Sequence, residues 1–156
     1  MSQVRLEPMT ATQFAEFLEV ILPLYIAARS VADQVSLVEA ERFARNQHQK
    51  LLPAGQFTPG HQFHSIVASD APEPVGGVWF HIDAEKRQAF LYNIAVFPQW
   101  QRRGFATAAL PLVEEAVHLA GCRVLALNVF AENTAAADLY RKSGYSTVSS
   151  HMNKRL

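Results

Sequence analysis

One cysteine, Cys122, in 156 residues leaves no partner for an internal disulfide, which excludes the disulfide-stapled secreted scaffolds. Neither sign of charge dominates. Fourteen basic and fourteen acidic side chains cancel, so no global field points to nucleic acid, and any bound anion is expected to be small. No apolar run reaches the length of a membrane span, so no membrane partner is expected. The N-terminus lacks the charged, then apolar, then small-residue order of a secretory signal, which makes the cytoplasm the expected compartment. Neither Gly-x4-Gly-Lys-Ser/Thr nor Gly-x-Gly-x-x-Gly occurs. His61-x2-His64 has no recognisable third ligand, so no metal is expected. At 49% apolar and 18% charged, the chain reads as one globular domain spanning 1–156 with a substantial core.

Against these shortages stands one stretch, 90–107, around which the rest is organised. Residues 90–97 are mostly aromatic or branched and favour a strand, which Pro98 ends by removing a backbone donor. From Gly104 the period becomes helical, with Phe105, Ala109, Leu112, Val113, Ala116 and Ala120 on one face. The turn Gln101-Arg-Arg-Gly-Phe-Ala106 therefore sits at a helix N-terminus, where N–H groups without intrahelical partners and the helix dipole suit a phosphate. Gly104 has no Cβ to hold a ligand off the backbone, and Arg102 and Arg103 add two full charges.

The remaining elements follow in order. A short strand at 4–6 precedes a capping box, Thr10-Ala-Thr-Gln13, with Met9 and Phe14 as its hydrophobic staple. The helix it opens carries the stripe Phe14, Phe17, Leu18, Ile21, Leu22 and Tyr25, and Pro23 is expected to kink or split it. Ser36-Leu-Val-Glu39 caps a second helix to about Leu52, and prolines and glycines over 53–60 mark a loop. These first 60 residues are expected to frame an acceptor site. Strands are expected at 64–68, 75–82 and 88–97, the last two joined by a polar hairpin link at 83–87. After the helix that follows Gly104, stopped by Gly121, come a strand at 123–130, a helix at 133–143 and a final strand at 145–152. Strands, a crossover helix and strands again describe an α/β chain with one mixed sheet and helices on both faces. Cys122 reads as a small buried hydrophobe, and Trp79 and Trp100 as packing residues.

A second motif, Asn133-Thr-Ala-Ala-Ala-Asp-Leu-Tyr-Arg-Lys-Ser-Gly-Tyr145, begins after the strand at 123–130. On a helix, 133, 136 or 137, and 140 share a face, so Asn133 and Tyr140 can reach one ligand. Asn133 also reads as a helix cap, and Tyr140 as a half-buried aromatic.

The order anion turn, helix, strand, Asn-x2-Ala-x3-Tyr-x3-Gly-Tyr resembles the GCN5-related N-acetyltransferase (GNAT) family from about Phe90 to Tyr145. It is especially similar to the ribosomal-protein N-terminal acetyltransferases and to small uncharacterised bacterial members, through Tyr92-Asn-Ile-Ala-Val96 and Asn128-Val-Phe-Ala-Glu-Asn133. The resemblance implies a mostly antiparallel sheet with a splayed parallel strand pair at the cofactor site, and a cofactor-binding half over 62–156. It implies acetyl-CoA as cosubstrate and an amine of a small molecule, amino acid or peptide N-terminus as acceptor. Ile94, Ala95 and Val96 would offer backbone groups to the pantetheine arm; Gln101, Arg102, Arg103, Gly104, Phe105, Ala106 and Thr107 would wrap the pyrophosphate. Asn133 and Ala136 would contact the pantetheine, and Tyr140 would point its hydroxyl at the sulfur.

Acetyl transfer from a thioester to an amine needs a neutral amine, a place for the oxyanion and a proton for the thiolate. Backbone N–H groups near Ile94 suit the oxyanion, and Tyr140 the proton. The base is open. Related ribosomal-protein enzymes often carry a glutamate where this chain has Asn128, and an amide takes no proton at neutral pH. His81, Tyr92, Glu132 and an ordered water are the substitutes. The alternative is a non-catalytic acyl-CoA-binding or sensing module. Oligomeric state is open, with a homodimer through sheet edges as the arrangement considered.

Overall fold

The computed structural model describes residues 3–156, and its first helix starts at the expected cap. The Thr10 side chain accepts from the Gln13 N–H at 3.1 Å, and the Gln13 side chain accepts from the Thr10 N–H at 3.0 Å, which satisfies two orphaned donors reciprocally. This box opens α1 (Ala11–Asp33), which runs unbroken through Pro23. The expected split does not occur because Pro23 is on the exposed side, where the freed carbonyl can bond water. Ser36 caps α2 (Leu37–Leu51) by accepting from the Glu39 N–H at 3.2 Å. The two helices are tied by the Tyr25 hydroxyl, which donates to Gln47 Oε1 at 2.9 Å.

Strands β1 (Val4–Pro8), β2 (His61–Ala68), β3 (Gly76–Asp83), β4 (Gln88–Val96) and β5 (Val124–Leu127) form one sheet in that spatial order. The first four pair antiparallel, and β4 pairs with β5 in parallel. A parallel neighbour needs a crossover, supplied here by α3 (Phe105–Leu119). On the α3 face, Ile66, Val78, Phe80 and Leu91 pack with Leu110 and Val113 in one apolar cluster that also buries Cys122. On the other face, Phe17 and Ile21 of α1 cover Phe63 and Trp79. The approach there is so close that a Cβ at Gly77 would lie 2.5 Å from Met9 Cε and 2.7 Å from the Phe17 ring, a contact only glycine permits. The fold is thus the expected mixed sheet with helices on both faces. No helix among the described residues is long and apolar enough to cross a membrane.

The chain departs from expectation at its C-terminal end. β5 covers only Val124–Leu127 of the expected 123–130 run, and α4 (Thr134–Lys142) follows. Residues 145–152, whose alternation predicts a strand, form no regular element. Alternation only prepares a segment for a ladder, and no described strand pairs with this one.

Candidate active site

The parallel pair β4 and β5 begins in register at Gln88 with Val124 and ends at Leu91 with Leu127. The register between β3 and β4 shifts at that level. Trp79 faces Asn93 while Phe80 faces Leu91, which leaves Tyr92 as an extra, bulged residue. A bulge bends its strand and increases the local twist, so β4 leaves β5 at the residue where the bulge sits. Farther along, the Phe97 N–H bonds the Val75 carbonyl at 2.8 Å, and the antiparallel alternation then turns the Ala95 backbone toward β3 and those of Ile94 and Val96 toward the gap. The Val96 carbonyl is held there by the Gln101 side-chain amide, which donates at 3.0 Å.

The turn after β4 is a row of free donors. Arg102 and Gly104 both have positive φ, 62° and 82°, and no side chain caps α3. The first helix-type bond of α3 runs from the Ala108 N–H to the Gly104 carbonyl at 3.0 Å, so the N–H groups of 102–107 have no partner among the described residues. Consecutive N–H groups in such a turn form an anion-binding concavity, and the helix dipole adds partial positive charge. Gln101, Arg102, Arg103 and Gly104 are exposed, while Phe105 is buried and anchors the helix start. Arg103 lies over the Trp100 ring, 5.1 Å from its centroid.

α4 carries the second motif. Asn133 is its N-cap, accepting from the Ala136 N–H at 3.2 Å; Oδ1 is committed to the helix, while the Nδ2 donors are not. Tyr140 packs against the same apolar cluster as Ile94, Val96, Trp100 and the buried Phe105. Its ring meets Tyr145 edge-on at 5.8 Å, and its hydroxyl bonds no described residue. Burial pushes the Tyr140 phenol above its ordinary value, so it stays protonated at neutral pH. The neighbouring Tyr145 hydroxyl donates to Glu114 at 2.9 Å and is raised by burial and then by that carboxylate. Lys142 is exposed on the same helix.

Sequence reasoning did not find the aromatic and histidine cluster around the bulge on the α1 and α2 face. Trp79 stacks on Tyr92 at 4.5 Å, and its Nε1–H donates to His61 Nδ1 at 3.0 Å in a buried bond. His81 lies 4.6 Å from the His61 ring, and His48 of α2 lies 5.6 Å from Trp79. Strand alternation would have placed 79 and 81 on one face, but joining them to His61 needs the β2 to β3 register, in which His61 faces His81. His61 and His64 differ in parity along β2 and point to opposite faces, so they are no chelating pair. Among the described residues no group of three or more His, Cys, Asp or Glu could hold a metal ion.

The cluster narrows the choice of base. His61 already uses its Nδ1 lone pair on Trp79, and burial, with a smaller contribution from His81, pushes its pKa down to about 4. Tyr92 is raised by burial and remains a neutral phenol. His61 also has a consequence for stability. The unfolded chain takes up its proton below about 6.5 and the folded chain only near 4, so stability is full above 6.5 and falls as pH drops through that window. The expected loss is on the order of 1–3 kcal/mol. Melting temperature measured from pH 7 to pH 4 should fall more steeply in the wild type than in His61→Gln, which keeps an acceptor for Trp79; equal slopes would show that His61 is not the titrating group.

Two cavities flank the sheet. One, of about 310 Å³, is lined by Pro8, Met9 and residues 56–64 at the β1 and β2 rim. The other, of about 430 Å³, lies between α1 and the end of β4, with Glu16, Glu19 and Glu73 on one side and Phe97, Pro98 and Gln99 on the other.

A diverging parallel strand pair followed by an anion turn at a helix start defines a class, and the sequence comparison agrees with it. The family model of the acetyltransferase (GNAT) family matches residues 30–145, and the chain belongs to that family, whose general chemistry is acetyl transfer. It is 28% identical over 155 residues to the uncharacterized N-acetyltransferase YycN of Bacillus subtilis (strain 168), covering 98% of this chain and 99% of that protein. It is 28% identical over 153 residues to the uncharacterized N-acetyltransferase YdgE of the same organism, covering 97% of each. The crystal structure of YycN matches with a TM-score of 0.91 over 99% of both chains. At the level of fold alone, an aminoglycoside N-acetyltransferase, AAC(6')-Iy, solved in complex with CoA, matches with a TM-score of 0.55 at 16% identity, over 100% of this chain and 96% of that one.

Proposed function

We propose that this chain is an acetyl-CoA-dependent N-acetyltransferase that acetylates a primary amine of a small molecule, an amino acid or a peptide N-terminus. The observation that carries this reading is the divergence of β4 from β5 after Leu91, which leads directly into the unpaired N–H groups of 102–107. The first feature exposes strand backbone to a pantetheine arm at Ile94 and Val96. The second offers donors and positive charge to a pyrophosphate at Gln101, Arg102, Arg103, Gly104, Phe105, Ala106 and Thr107. Asn133, with its Oδ1 engaged in the cap, has Nδ2 donors left for the pantetheine, and Ala136 shares that face without adding bulk.

The chemistry then distributes over the chain's own groups. A neutral amine attacks the thioester carbonyl, the carbon–nitrogen bond forms, and negative charge gathers on the carbonyl oxygen, where the free backbone N–H of Ile94 is a suitable donor. Collapse breaks the carbon–sulfur bond, and the Tyr140 hydroxyl gives its proton to the departing thiolate. A phenol held above its ordinary pKa carries its proton at neutral pH, which is the protonation state this role requires. The proton lost by the amine goes to His81, Glu132 or an ordered water, since His61 has its lone pair engaged and Tyr92 is held neutral.

Coenzyme A at about 100 times its dissociation constant should stabilise the fold by about 2.7 kcal/mol. For a chain of this length that raises the melting temperature by roughly 5–10 °C. A folded sample that shows no shift with millimolar coenzyme A would remove the proposal. The acceptor is found by following free thiol release from acetyl-CoA across amines, polyamines, amino acids and peptides.

A further inference from the structure

His61 is a nearly buried imidazole with one nitrogen engaged and one left over. Only 8% of it is exposed, and Trp79 Nε1–H donates to its Nδ1 at 3.0 Å. Indole is a donor only, so this bond takes the Nδ1 lone pair and leaves the proton of the neutral ring on Nε2. Packing holds that choice. The Trp79 ring stacks on Phe63 at 5.1 Å and on Tyr92 at 4.5 Å, and His48 meets it edge-on at 5.6 Å. The titratable rings beside His61 are His81 at 4.6 Å and Tyr92 at 5.6 Å. His61 Nε2–H bonds no described residue, yet it is not sealed from solvent. A donor left over on a nearly buried ring is a place for an acceptor atom of a ligand. Burial keeps the ring neutral down to about 4, so the same donor is present throughout the neutral pH range.

The ring also lies on the side from which an amine has to come. Tyr140 packs in the apolar cluster on the α3 face, so the leaving thiolate and its acid take that side, and the acceptor enters over the α1 and α2 face. There Tyr92, whose ring touches that of His61, is the bulged residue at which β4 leaves β5. Resting on the acetyl transfer proposed above, we propose that His61 is a specificity-determining residue: its Nε2–H donates to a carbonyl oxygen carried next to the acceptor's amine. The acceptor is then an α-amino amide, of which a peptide N-terminus is one form, rather than a plain alkylamine or a polyamine. A free carboxylate would be stripped of water with no lysine or arginine among these rings to pair with it, whereas a neutral carbonyl carries no such cost. The cavity of about 310 Å³ that His61 also lines has room for a group beyond the carbonyl.

Glycinamide and propargylamine test this, because they are small amines of similar basicity and only the first carries a carbonyl oxygen. With acetyl-CoA saturating, kcat/KM from thiol release should favour glycinamide by about tenfold to a hundredfold, the effect of leaving a site's donor unpaired. His61→Phe should bring that ratio close to one. His61→Gln, whose oxygen can accept from Trp79 and whose nitrogen can donate, should keep most of it. A general loss of fold lowers both rates alike and leaves the ratio unmoved. Nitrogen NMR of the wild type with coenzyme A bound reads the same atom without relying on the phenylalanine variant to fold. The His61 signal, assigned by its loss in His61→Gln, should show the Nε2–H tautomer and shift with glycinamide but not with propargylamine. Equal kcat/KM for the two amines, a ratio unchanged in folded His61→Phe, or a His61 signal that glycinamide does not move would each overturn the proposal. Glycinamide that shifts the His61 signal without thiol release from acetyl-CoA would instead uphold the binding role and remove the N-acetyltransferase reading.

Discussion

Aspartate at position 104 should abolish coenzyme A binding while the protein still folds. Gly104 has φ 82° and ψ 11° as the N-cap of α3, a left-handed conformation that aspartate and asparagine tolerate better than other residues with a Cβ. The folding cost is therefore small. The binding cost is not, because the new carboxylate stands among the free N–H groups of 102–107, where a pyrophosphate would have to approach the backbone. Two like charges about 4 Å apart at an effective dielectric near 20 repel by about 4 kcal/mol. A loss on the order of a hundredfold to a thousandfold in affinity is expected by calorimetry. Gly104→Asn separates the causes: it has the same strain and similar bulk without the charge, and should retain most of the affinity that the aspartate loses. If Gly104→Asp binds as the wild type does, the phosphate site is elsewhere.

How much of this was readable from the residues depends on how local each feature is. The Thr10 and Gln13 box, the Ser36 cap and the cap bond of Asn133 each involve residues three apart, and each forms as the spacing indicates. The anion turn is equally local, since Pro98 ends a strand and Gly104 starts a helix within seven residues. What failed to show was the detail of register across the sheet, although the mixed sheet and the antiparallel pairing of β3 with β4 were expected. The Tyr92 bulge is a mismatch between β3 and β4, and nothing in the string Leu-Tyr-Asn marks it. The Trp79 to His61 bond joins residues 18 apart in sequence and depends on the β2 to β3 register. Residues 145–152 were misread for the complementary reason: their alternation is real, but a strand is a property of a pair, and this chain offers them no described neighbour. Of the two outcomes expected at Pro23, the split does not occur, because an interruption depends on whether the freed carbonyl meets water, and exposure at that turn is a tertiary fact.

Tyr140→Phe should lower turnover by about 100- to 10,000-fold, the usual contribution of general acid catalysis, while coenzyme A affinity stays nearly constant. The substitution removes one hydroxyl that bonds no described residue and keeps the ring that packs against Tyr145 and the apolar cluster, so neither the fold nor the packing beside the ligand should suffer. An interaction made chiefly in the transition state lowers kcat and kcat/KM together and leaves ground-state binding alone. The pH profile adds a second, independent reading. Because burial holds the phenol above its ordinary value, any loss of wild-type rate from Tyr140 deprotonation should fall above the ordinary tyrosine range. A water that reaches the thiolate in the variant would soften the drop toward its lower limit. Equal turnover, measured at saturating acetyl-CoA with a confirmed acceptor and with chemistry rate-limiting, would make Tyr140 a packing residue. A wild-type chain that binds coenzyme A yet releases no thiol with any acceptor would instead favour an acyl-CoA-binding module on this fold.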